Sequence, residues 1–258
     1  MTVKEFTNAQ AWILLTSAIP VLGLLCFVVV MRRRQLGRSA RVEAAGGSVF
    51  LAPFIMEYAY WFLLPPVRFC VRHRISPNAI TLSGLAIVLA GCACASQGYF
   101  GLAGPLILIG SLSDMLDGAV ARHLGSTSNA GEFVDAMTDR LADLALLGAL
   151  CIYYRERPAA LGLLLVTLTG CALVSYARAK AESLEVHDVP SGAMRRAERT
   201  VYLGFSIHLA PVVAPLVEAP SAKPRYDLVL AVCALVAVVS NASWLVMMRF
   251  TLRRLRGT

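Results

Sequence analysis

Long apolar runs dominate the chain, and most polar residues fall between them. A helix needs about 20 predominantly apolar residues to cross the hydrocarbon core of a bilayer. Seven segments reach or approach that length and predict membrane-spanning helices. These segments are residues 11–31, 79–99, 102–121, 133–153, 159–177, 200–217 and 226–248. The pattern therefore predicts an all-α integral membrane protein.

The segment between the first two predicted spans has a different pattern. Phe50 to Leu64 is a short apolar and aromatic run, interrupted by Glu57 and followed by Pro65 and Pro66. It is short for a spanning helix, and the two prolines are expected to end it. We therefore predict a helix that lies in the membrane interface.

The composition supports a membrane protein. Apolar residues make up 57% of the 258 residues and charged residues 16%, whereas soluble globular proteins have roughly 45–50% and about 25%. These values disfavour a disordered chain, a coiled coil and a soluble nucleic-acid-binding protein, although the net charge is +8. The seven cysteines show no metal-ligand spacing, and we assign them no chemistry.

The basic residues predict how the chain is oriented in the membrane. The first apolar run lacks a positively charged leader and ends in Arg32, Arg33 and Arg34, which indicates an anchor with an external N-terminus. Threading seven spans from that start places 19 of the 24 Lys and Arg residues on one side. Because cytoplasmic loops are enriched in these residues, we expect that side to be cytoplasmic in a multi-pass cell-membrane protein. The positive charge then reflects topology and anionic lipid rather than DNA.

The aspartates are concentrated in the third and fourth predicted spans. Asp114 and Asp117 are three residues apart near the cytoplasmic end of the third span, and Asp135 and Asp139 are four apart at the start of the fourth. Each spacing places both carboxylates on one helix face. A short loop at 123–131 joins the two helices, so a hairpin brings the four carboxylates together. Carboxylates inside a membrane protein are costly, which points to function.

Four converging carboxylates require cations. Ligands that are all oxygen suit hard divalent ions such as Mg²⁺ or Mn²⁺, and a pair of such ions would attract a diphosphate. Small residues at Gly118 and Ala121 leave room for a bulky ligand, and Gly131 removes a side chain where the next helix opens. Arg122 adds a cationic fork that suits phosphate.

The whole segment resembles a known signature. It reads Asp114-x2-Asp117-Gly118-x2-Ala121-Arg122-x8-Gly131-x3-Asp135-x3-Asp139. This pattern is similar, at every fixed position and spacing, to that of the CDP-alcohol phosphatidyltransferases. The resemblance implies a six-helix domain at residues 75–258. Residues 1–74 would then add an N-terminal transmembrane anchor, a connector and the interfacial helix.

The resemblance also implies a reaction and a set of site residues. The family transfers a phosphatidyl group from a CDP-linked lipid, here CDP-diacylglycerol, to an alcohol and releases CMP. The four motif aspartates would hold two Mg²⁺ or Mn²⁺ ions, and Asp139 would also be the base that deprotonates the acceptor hydroxyl. Homodimers are common in the family, although no packing motif in this sequence indicates one.

A second motif precedes the first helix of the expected domain. Asn78 and Thr81 follow Pro77 in a pattern that by itself predicts only the start of a helix. The family tends to carry Pro-Asn-x-x-Thr at this place, near the cytidine pocket. The resemblance thus implies a CDP-lipid site formed by Asn78, Thr81, Asp114, Asp117, Gly118, Ala121, Arg122 and Gly131.

Two basic clusters indicate that the acceptor is negatively charged. Arg178 and Lys180 follow the fifth span, while Arg196 and Arg199 open the sixth. Membrane topology explains either cluster alone, whereas together they suit an anionic acceptor. Both clusters resemble those of prokaryotic phosphatidylinositol-phosphate synthases, in which such residues bind the acceptor phosphate. The likeness is imperfect, because the first pair has its residue types exchanged and Ala197 replaces a proline.

Several alternatives stay open at the level of sequence. Glycerol 3-phosphate, the acceptor of phosphatidylglycerophosphate synthases, also needs a basic pocket. Membrane prenyltransferases bind lipid diphosphates through Asp clusters and Mg²⁺ but lack the Gly-x2-Ala-Arg insertion. A cation or proton transporter explains the carboxylates but not these fixed offsets. Asp143 continues the face of Asp135 and Asp139, and we expect it to pair with Arg140 or with an arginine of the acceptor pocket.

Overall fold

The structure is a computed structural model that describes residues 3–34, 53–190, 192–219, 221 and 223–256. These residues form helices and connecting turns, with no strand among them. The all-α fold class is therefore confirmed. In chain order the helices are α1 (Val3–Arg34), α2 (Pro53–Arg72), α3 (Pro77–Ser96), α4 (Phe100–Leu124), α5 (Asn129–Tyr153), α6 (Pro158–Ser183), α7 (Arg196–Val217) and α8 (Asp227–Leu255).

Five of these helices are long and apolar enough to cross a membrane, namely α3, α4, α6, α7 and α8. In α1 the apolar part is shorter and covers Thr16–Met31. Helix α5 lies where the fourth span was predicted, but it carries Asp135, Asp139 and Asp143. The structure thus places a helix in each of the seven predicted segments. That α1 and α5 also cross the bilayer stays a prediction.

Local capping fixes the ends of the helices that carry the aspartates. Helix α4 ends at Gly125, whose φ of 61° lies in the left-handed region that glycine adopts readily. Three residues later, the Ser128 side chain caps α5 by accepting a hydrogen bond from the Gly131 N–H. These two caps keep the connection between α4 and α5 short, so that both aspartate pairs lie at the same end of the bundle.

Helix α3 packs against both α4 and α5 and crosses α4 at very close range. A Cβ added at Gly84 would lie 2.9 Å from the Gly110 carbonyl oxygen, and one added at Gly110 would lie 2.8 Å from the Gly84 carbonyl oxygen. Small residues permit this backbone approach, as is common between membrane helices. The crossing brings the start of α3 beside the second half of α4, where Asp114 and Asp117 lie.

The prediction that Pro65 and Pro66 end the second helix is wrong. Helix α2 continues through both prolines to Arg72. Val67 and Cys70 follow the prolines and are buried in a cluster with residues of α3 and α4. Each proline lacks the N–H that would donate a helix hydrogen bond. Burial of the Val67 and Cys70 side chains compensates for these lost bonds, so the helix continues. The placement of α2 in the membrane interface stays a prediction, and the connector at 39–48 lies outside the described residues.

The N-terminal helix α1 packs on α4, α7 and α2. Ser17 Oγ lies within hydrogen-bond distance of His208 Nε2 of α7, at 2.9 Å. Phe27 is buried, and its ring contacts the rings of Tyr58 and Trp61 in α2. Helix α1 is thus joined to α2 and to α7 by specific contacts.

The end of α5 opposite the aspartates is tied to the loop between α7 and α8. Tyr153 and Tyr154 donate hydrogen bonds to the carbonyl oxygens of Pro224 and Arg225, each at 2.8 Å. These bonds fix the far end of α5 and thereby the direction in which the helix approaches the site.

Candidate active site

Three carboxylates converge between α4 and α5. Asp114, Asp135 and Asp139 each offer one oxygen, and these oxygens all lie within 4.8 Å of one another. Asp135 and Asp139 are one turn apart on α5, and Asp114 faces them from α4. We call this set the carboxylate triad. The helix-face spacing predicts that four carboxylates come together, and these three do so.

The fourth motif aspartate is held differently. Asp117 is only 6% exposed, and its Oδ2 accepts a hydrogen bond from the Thr81 hydroxyl of α3. Asp117 lies outside the carboxylate triad but lines the same cavity. The structure thus brings Asp117 and Thr81, both predicted for the CDP-lipid site, into direct contact.

The cavity is enclosed by α3, α4, α5 and the first turn of α7. Among the described residues its lining carries four carboxylates and a single guanidinium, so its potential is negative. The polar lining consists of the four motif aspartates, Arg196 and the hydroxyls of Thr81, Ser111, Ser113 and Thr138. Leu85, Val88 and Ala142 complete it with apolar surface.

The donor set suits a hard divalent cation. Asp135 Oδ1 is buried and accepts no hydrogen bond within the described part of the chain. A buried, unpaired carboxylate oxygen is costly unless a cation compensates it. Its two neighbours in the triad also offer oxygen, the ligand atom that Mg²⁺ and Mn²⁺ prefer. The residues present therefore fit the metal that the sequence predicts.

Arg196 reaches into the cavity from α7. Its Nη1 lies 2.6 Å from Asp139 Oδ1 and 3.3 Å from Asp114 Oδ2. Its Nε lies 3.4 Å from Asp143 Oδ1, an ion-pair distance at which Nε still makes no hydrogen bond. One guanidinium thus contacts two members of the carboxylate triad and a third carboxylate deeper in α5.

Arg199 lies one turn further along α7 and is only 4% exposed. Its Nη2 is 3.6 Å from Asp143 Oδ2, so Asp143 lies between Arg196 and Arg199. Of the two kinds of partner that the sequence suggested for Asp143, the structure shows Arg196 and Arg199, the arginines predicted for the acceptor pocket.

Two other residues predicted for the CDP-lipid site, Arg122 and Asn78, lie beside the motif glycines. A Cβ added at Gly118 would lie 3.2 Å from Arg122 Nη1, because the Arg122 guanidinium folds back over Gly118. A Cβ added at Gly131 would lie 3.7 Å from Asn78 Oδ1, which places the Asn78 side chain beside the start of α5. The Ala121 carbonyl accepts a hydrogen bond from the N–H of residue 126, at 3.0 Å, and closes α4.

The structure does not bring Arg178 and Lys180 to the carboxylates. Both side chains are exposed near the end of α6, and neither forms an ion pair with another described residue. Neither lines the cavity. Of the predicted acceptor residues, only those at the start of α7 contact the aspartates.

The sequence interpretation missed the hydroxyl groups of Ser111, Ser113 and Thr138 in the cavity lining. Ser113 directly precedes Asp114, the first residue of the motif, and Thr138 precedes Asp139 within it. The Ser113 hydroxyl donates a hydrogen bond to the Gly110 carbonyl oxygen at 2.6 Å. The Thr138 hydroxyl oxygen lies 2.9 Å from the Asp135 carbonyl oxygen. Their adjacency to motif aspartates was the available signal. Their placement in the lining depends on how α3, α4 and α5 pack.

Comparison with known proteins identifies similar sequences. Residues 74–239 match the profile of the family described as CDP-alcohol phosphatidyltransferase. An uncharacterised protein of Aquifex aeolicus is 39% identical over 161 residues, which cover 62% of this chain and 80% of that protein. Phosphatidylinositol phosphate synthase of Streptomyces avermitilis is 32% identical over 159 residues, covering 60% of this chain and 65% of its own. Archaetidylinositol phosphate synthase of Pyrococcus horikoshii is 34% identical over 130 residues, which are 50% and 67% of the two chains.

Solved structures share the fold. A crystal structure of Mycobacterium tuberculosis phosphatidylinositol phosphate synthase with CDP-DAG bound matches with a TM-score of 0.62 at 24% identity. The match covers 72% of this chain and 92% of that one. A crystal structure of the same enzyme in complex with manganese and citrate gives 0.63 at 22% identity, with 72% and 87% coverage. At these identities the likeness concerns the arrangement of helices.

Proposed function

Because the chain belongs to the CDP-alcohol phosphatidyltransferase family, we propose that it transfers a phosphatidyl group from CDP-diacylglycerol to a hydroxyl of inositol phosphate and releases CMP. The observation that carries this proposal is a single cavity in which the carboxylate triad and Arg196 meet. The chain is a multi-pass membrane enzyme of phospholipid biosynthesis. Family membership also leaves the prenyltransferase and transporter hypotheses without support.

The aspartates prepare the cavity for a diphosphate. Asp114, Asp117, Asp135 and Asp139 would hold two Mg²⁺ or Mn²⁺ ions. When bound, such ions neutralise the diphosphate and stabilise the leaving CMP. Thr81 holds Asp117 in place through its hydrogen bond.

In the proposed reaction, Asp139 is the base. Its carboxylate accepts the proton of the acceptor hydroxyl as that oxygen bonds to the phosphorus next to the lipid. The bond from this phosphorus to the CMP phosphate oxygen breaks, and the electron pair leaves with CMP. Since Asp139 lies on the same cavity wall as Asp135, the base and the expected metal ligands act on the same phosphate.

The CDP-lipid is proposed to lie along the motif glycines. The absent side chains of Gly118 and Gly131 leave space next to Arg122 and Asn78, respectively. Arg122 offers a planar fork to the diphosphate. Asn78 offers amide groups that suit hydrogen bonds to a nucleobase or sugar. Ala121 and Thr81 complete this proposed surface.

A phosphorylated acceptor supplies the negative charge that Arg196 and Arg199 can recognise. Both arginines lie on one face of α7, and Asp143 contacts both. Two of the similar proteins are named phosphatidylinositol phosphate synthase and archaetidylinositol phosphate synthase. These names favour inositol phosphate over glycerol 3-phosphate as the proposed acceptor. The sequence resemblance is the support for proposing Arg178 and Lys180 as further residues that bind the acceptor phosphate.

Charge also underlies the proposed placement in the membrane. Threading the seven predicted spans assigns most Lys and Arg residues to the same side as the motif aspartates. We therefore place the active site at the cytoplasmic face and the N-terminus outside. A homodimer, common among family members, is the assembly that we expect.

A CMP-release assay tests the proposal. Purified chain, Mg²⁺ and CDP-diacylglycerol are incubated separately with inositol phosphate, glycerol 3-phosphate, inositol and serine. We expect CMP release above the acceptor-free control with inositol phosphate. Release with glycerol 3-phosphate alone would overturn the acceptor while retaining the reaction type. No release with any of the four would contradict the proposal.

A further inference from the structure

Arg196 contacts two of the carboxylates that are expected to bind metal. Its Nη1 lies 2.6 Å from Asp139 Oδ1 and 3.3 Å from Asp114 Oδ2, and both residues belong to the carboxylate triad. A divalent cation shared by the triad would lie within a few ångströms of this guanidinium. Two cations at such a distance repel strongly in a partly buried site. A divalent cation on these carboxylates therefore weakens the contacts that Arg196 makes with them.

Arg196 has a second partner that does not belong to the triad. Asp143 Oδ1 lies 3.4 Å from Arg196 Nε, a different nitrogen from the Nη1 that contacts the triad. The other Asp143 oxygen lies 3.6 Å from Arg199 Nη2, and Arg199 is buried. Asp143 is thus itself held by a fixed arginine. It can retain the Arg196 guanidinium when Nη1 leaves the triad.

The donor groups of Arg196 are not all used. Its Nε is buried but makes no hydrogen bond, and its Nη2 only reaches the Asp139 carbonyl oxygen at 3.5 Å. An arginine fork can bind a phosphate through two N–H groups at once. The present contacts therefore leave Arg196 with binding capacity that a phosphate oxygen could take up.

We propose that Arg196 couples metal binding to recognition of the acceptor phosphate. Arg196 is the counter-ion of Asp114 and Asp139 until these carboxylates take a divalent cation. Asp143 then keeps the guanidinium at the cavity, where Nη1 is available to a phosphate oxygen. The order of binding follows, with the metal first and the phosphorylated acceptor second. This inference rests on the proposed function and adds to it a role for Asp143 as a positioning residue.

The coupling has a measurable size. Coupling between two binding sites typically changes affinity by about 5- to 150-fold, and the effect is reciprocal. Inorganic phosphate, used as the probe, should bind the metal-free chain weakly and should bind at least about fivefold more tightly when Mg²⁺ is present. Phosphate should equally tighten the binding of Mg²⁺.

Nuclear magnetic resonance of the Arg196 side chain tests the inference most directly. The full chain is labelled with ¹⁵N- and ¹³C-arginine in detergent, and the Arg196 signals are assigned by their loss in Arg196→Gln. We expect Mg²⁺ alone to shift the Arg196 Nη signals and speed their rotation, while the Arg199 signals change little. Arg196 Nη signals that stay unchanged at saturating Mg²⁺ would overturn the inference.

Calorimetry supplies an independent measurement with a matched control. Arg196→Gln should bind Mg²⁺ more tightly than the original chain and should lose most of the Mg²⁺-dependent gain in phosphate affinity. Arg249→Gln removes the same charge from an exposed position on α8 and should change neither value. An unchanged gain in Arg196→Gln would contradict the coupling.

The two proposals can fail separately. These binding experiments use no CDP-lipid and no alcohol acceptor, so they do not depend on turnover. CMP release together with unchanged Arg196 signals would overturn the coupling and leave the proposed function intact. Coupled binding of Mg²⁺ and phosphate without CMP release would support the coupling and contradict the proposed function.

Discussion

At the scale of single residues, the site separates two kinds of aspartate. Asp114, Asp135 and Asp139 present oxygens to one another across the cavity, whereas Asp117 is buried and receives a hydrogen bond from Thr81. This division gives the residues different expected effects on substitution. Changes in the triad should affect chemistry or metal binding first, and changes around Asp117 should affect the geometry of the site.

The proposed base is tested by Asp139→Asn. We expect the rate of phosphatidyl transfer to fall by about 10²- to 10⁴-fold, because the amide cannot accept the proton of the acceptor hydroxyl. Binding of CDP-diacylglycerol should change little, as measured with a fluorescent lipid analogue. Asp188→Asn makes the same change at an exposed position between α6 and α7 and should leave the rate unaltered. Full activity of Asp139→Asn would contradict the role of base.

The hydrogen bond to Asp117 is tested by Thr81→Val, which preserves the side-chain shape. Loss of the donor leaves a buried carboxylate with a missing partner, which costs about 1–3 kcal/mol. We expect lower thermal stability and weaker Mg²⁺ binding, measured by unfolding in detergent and by calorimetry. The control is Thr169→Val, since Thr169 is exposed on α6 and bonds only to its own helix. Equal behaviour of the two variants would show that the Thr81 contact does not matter.

At the scale of elements, the crossing of α3 and α4 positions the site. Gly84 and Gly110 allow the two backbones to touch, and Thr81 lies one turn before Gly84. The position of Thr81 relative to Asp117 therefore depends on glycines that lie outside the sequence signature. Packing between helices, rather than the motif alone, sets the depth and shape of the cavity.

Gly110→Ala tests this dependence. The added Cβ would lie 2.7 Å from Val88 Cγ2 and 2.8 Å from the Gly84 carbonyl oxygen, so the helices must separate. We expect a loss of about 1–3 kcal/mol in stability, together with a fall in transferase activity. Gly162→Ala is the control, because a Cβ there meets no atom within 4 Å. Unfolding temperatures and CMP release of both variants provide the comparison, and wild-type values for Gly110→Ala would contradict the account.

The opposite end of the bundle should contribute to stability but not to chemistry. Tyr154→Phe removes the hydrogen bond to the Arg225 carbonyl oxygen while retaining the buried ring. We expect a decrease of about 0.5–1.5 kcal/mol in stability, seen as faster thermal inactivation, with an unchanged kcat at low temperature. Tyr99→Phe changes an exposed tyrosine and should have neither effect. A large fall in kcat for Tyr154→Phe would show that this end also influences the site.

At the scale of the whole molecule, local patterns predicted much of the fold and the carboxylate cluster. The spacing within α4 and α5 sufficed to place each aspartate pair on one face, because helix geometry is local. The pairing of Arg196 was beyond that reasoning, since Arg196 lies 82 residues from Asp114 along the chain. Such a contact depends on how α7 packs against α4, which no local period encodes.

Two further differences have the same physical origin. Pro65 and Pro66 are strong local signals for the end of a helix, yet packing of Val67 against neighbouring helices overrides them. Arg178 and Lys180 match a subgroup pattern, but their position on α6 leaves them exposed and away from the aspartates. Local sequence patterns indicated which residues to consider as site candidates, whereas the distances between their side chains required the tertiary structure.

The central claim is phosphatidyl transfer to a phosphorylated polyol at the aspartate cavity. The most direct measurement follows ³²P placed at the phosphate next to the lipid in CDP-diacylglycerol, with inositol phosphate and Mg²⁺ present. The account predicts that the label appears in phosphatidylinositol phosphate, with one CMP released per labelled product, and that chelation of the metal stops both. Label that remains in CDP-diacylglycerol, or CMP release without a labelled lipid product, would contradict it.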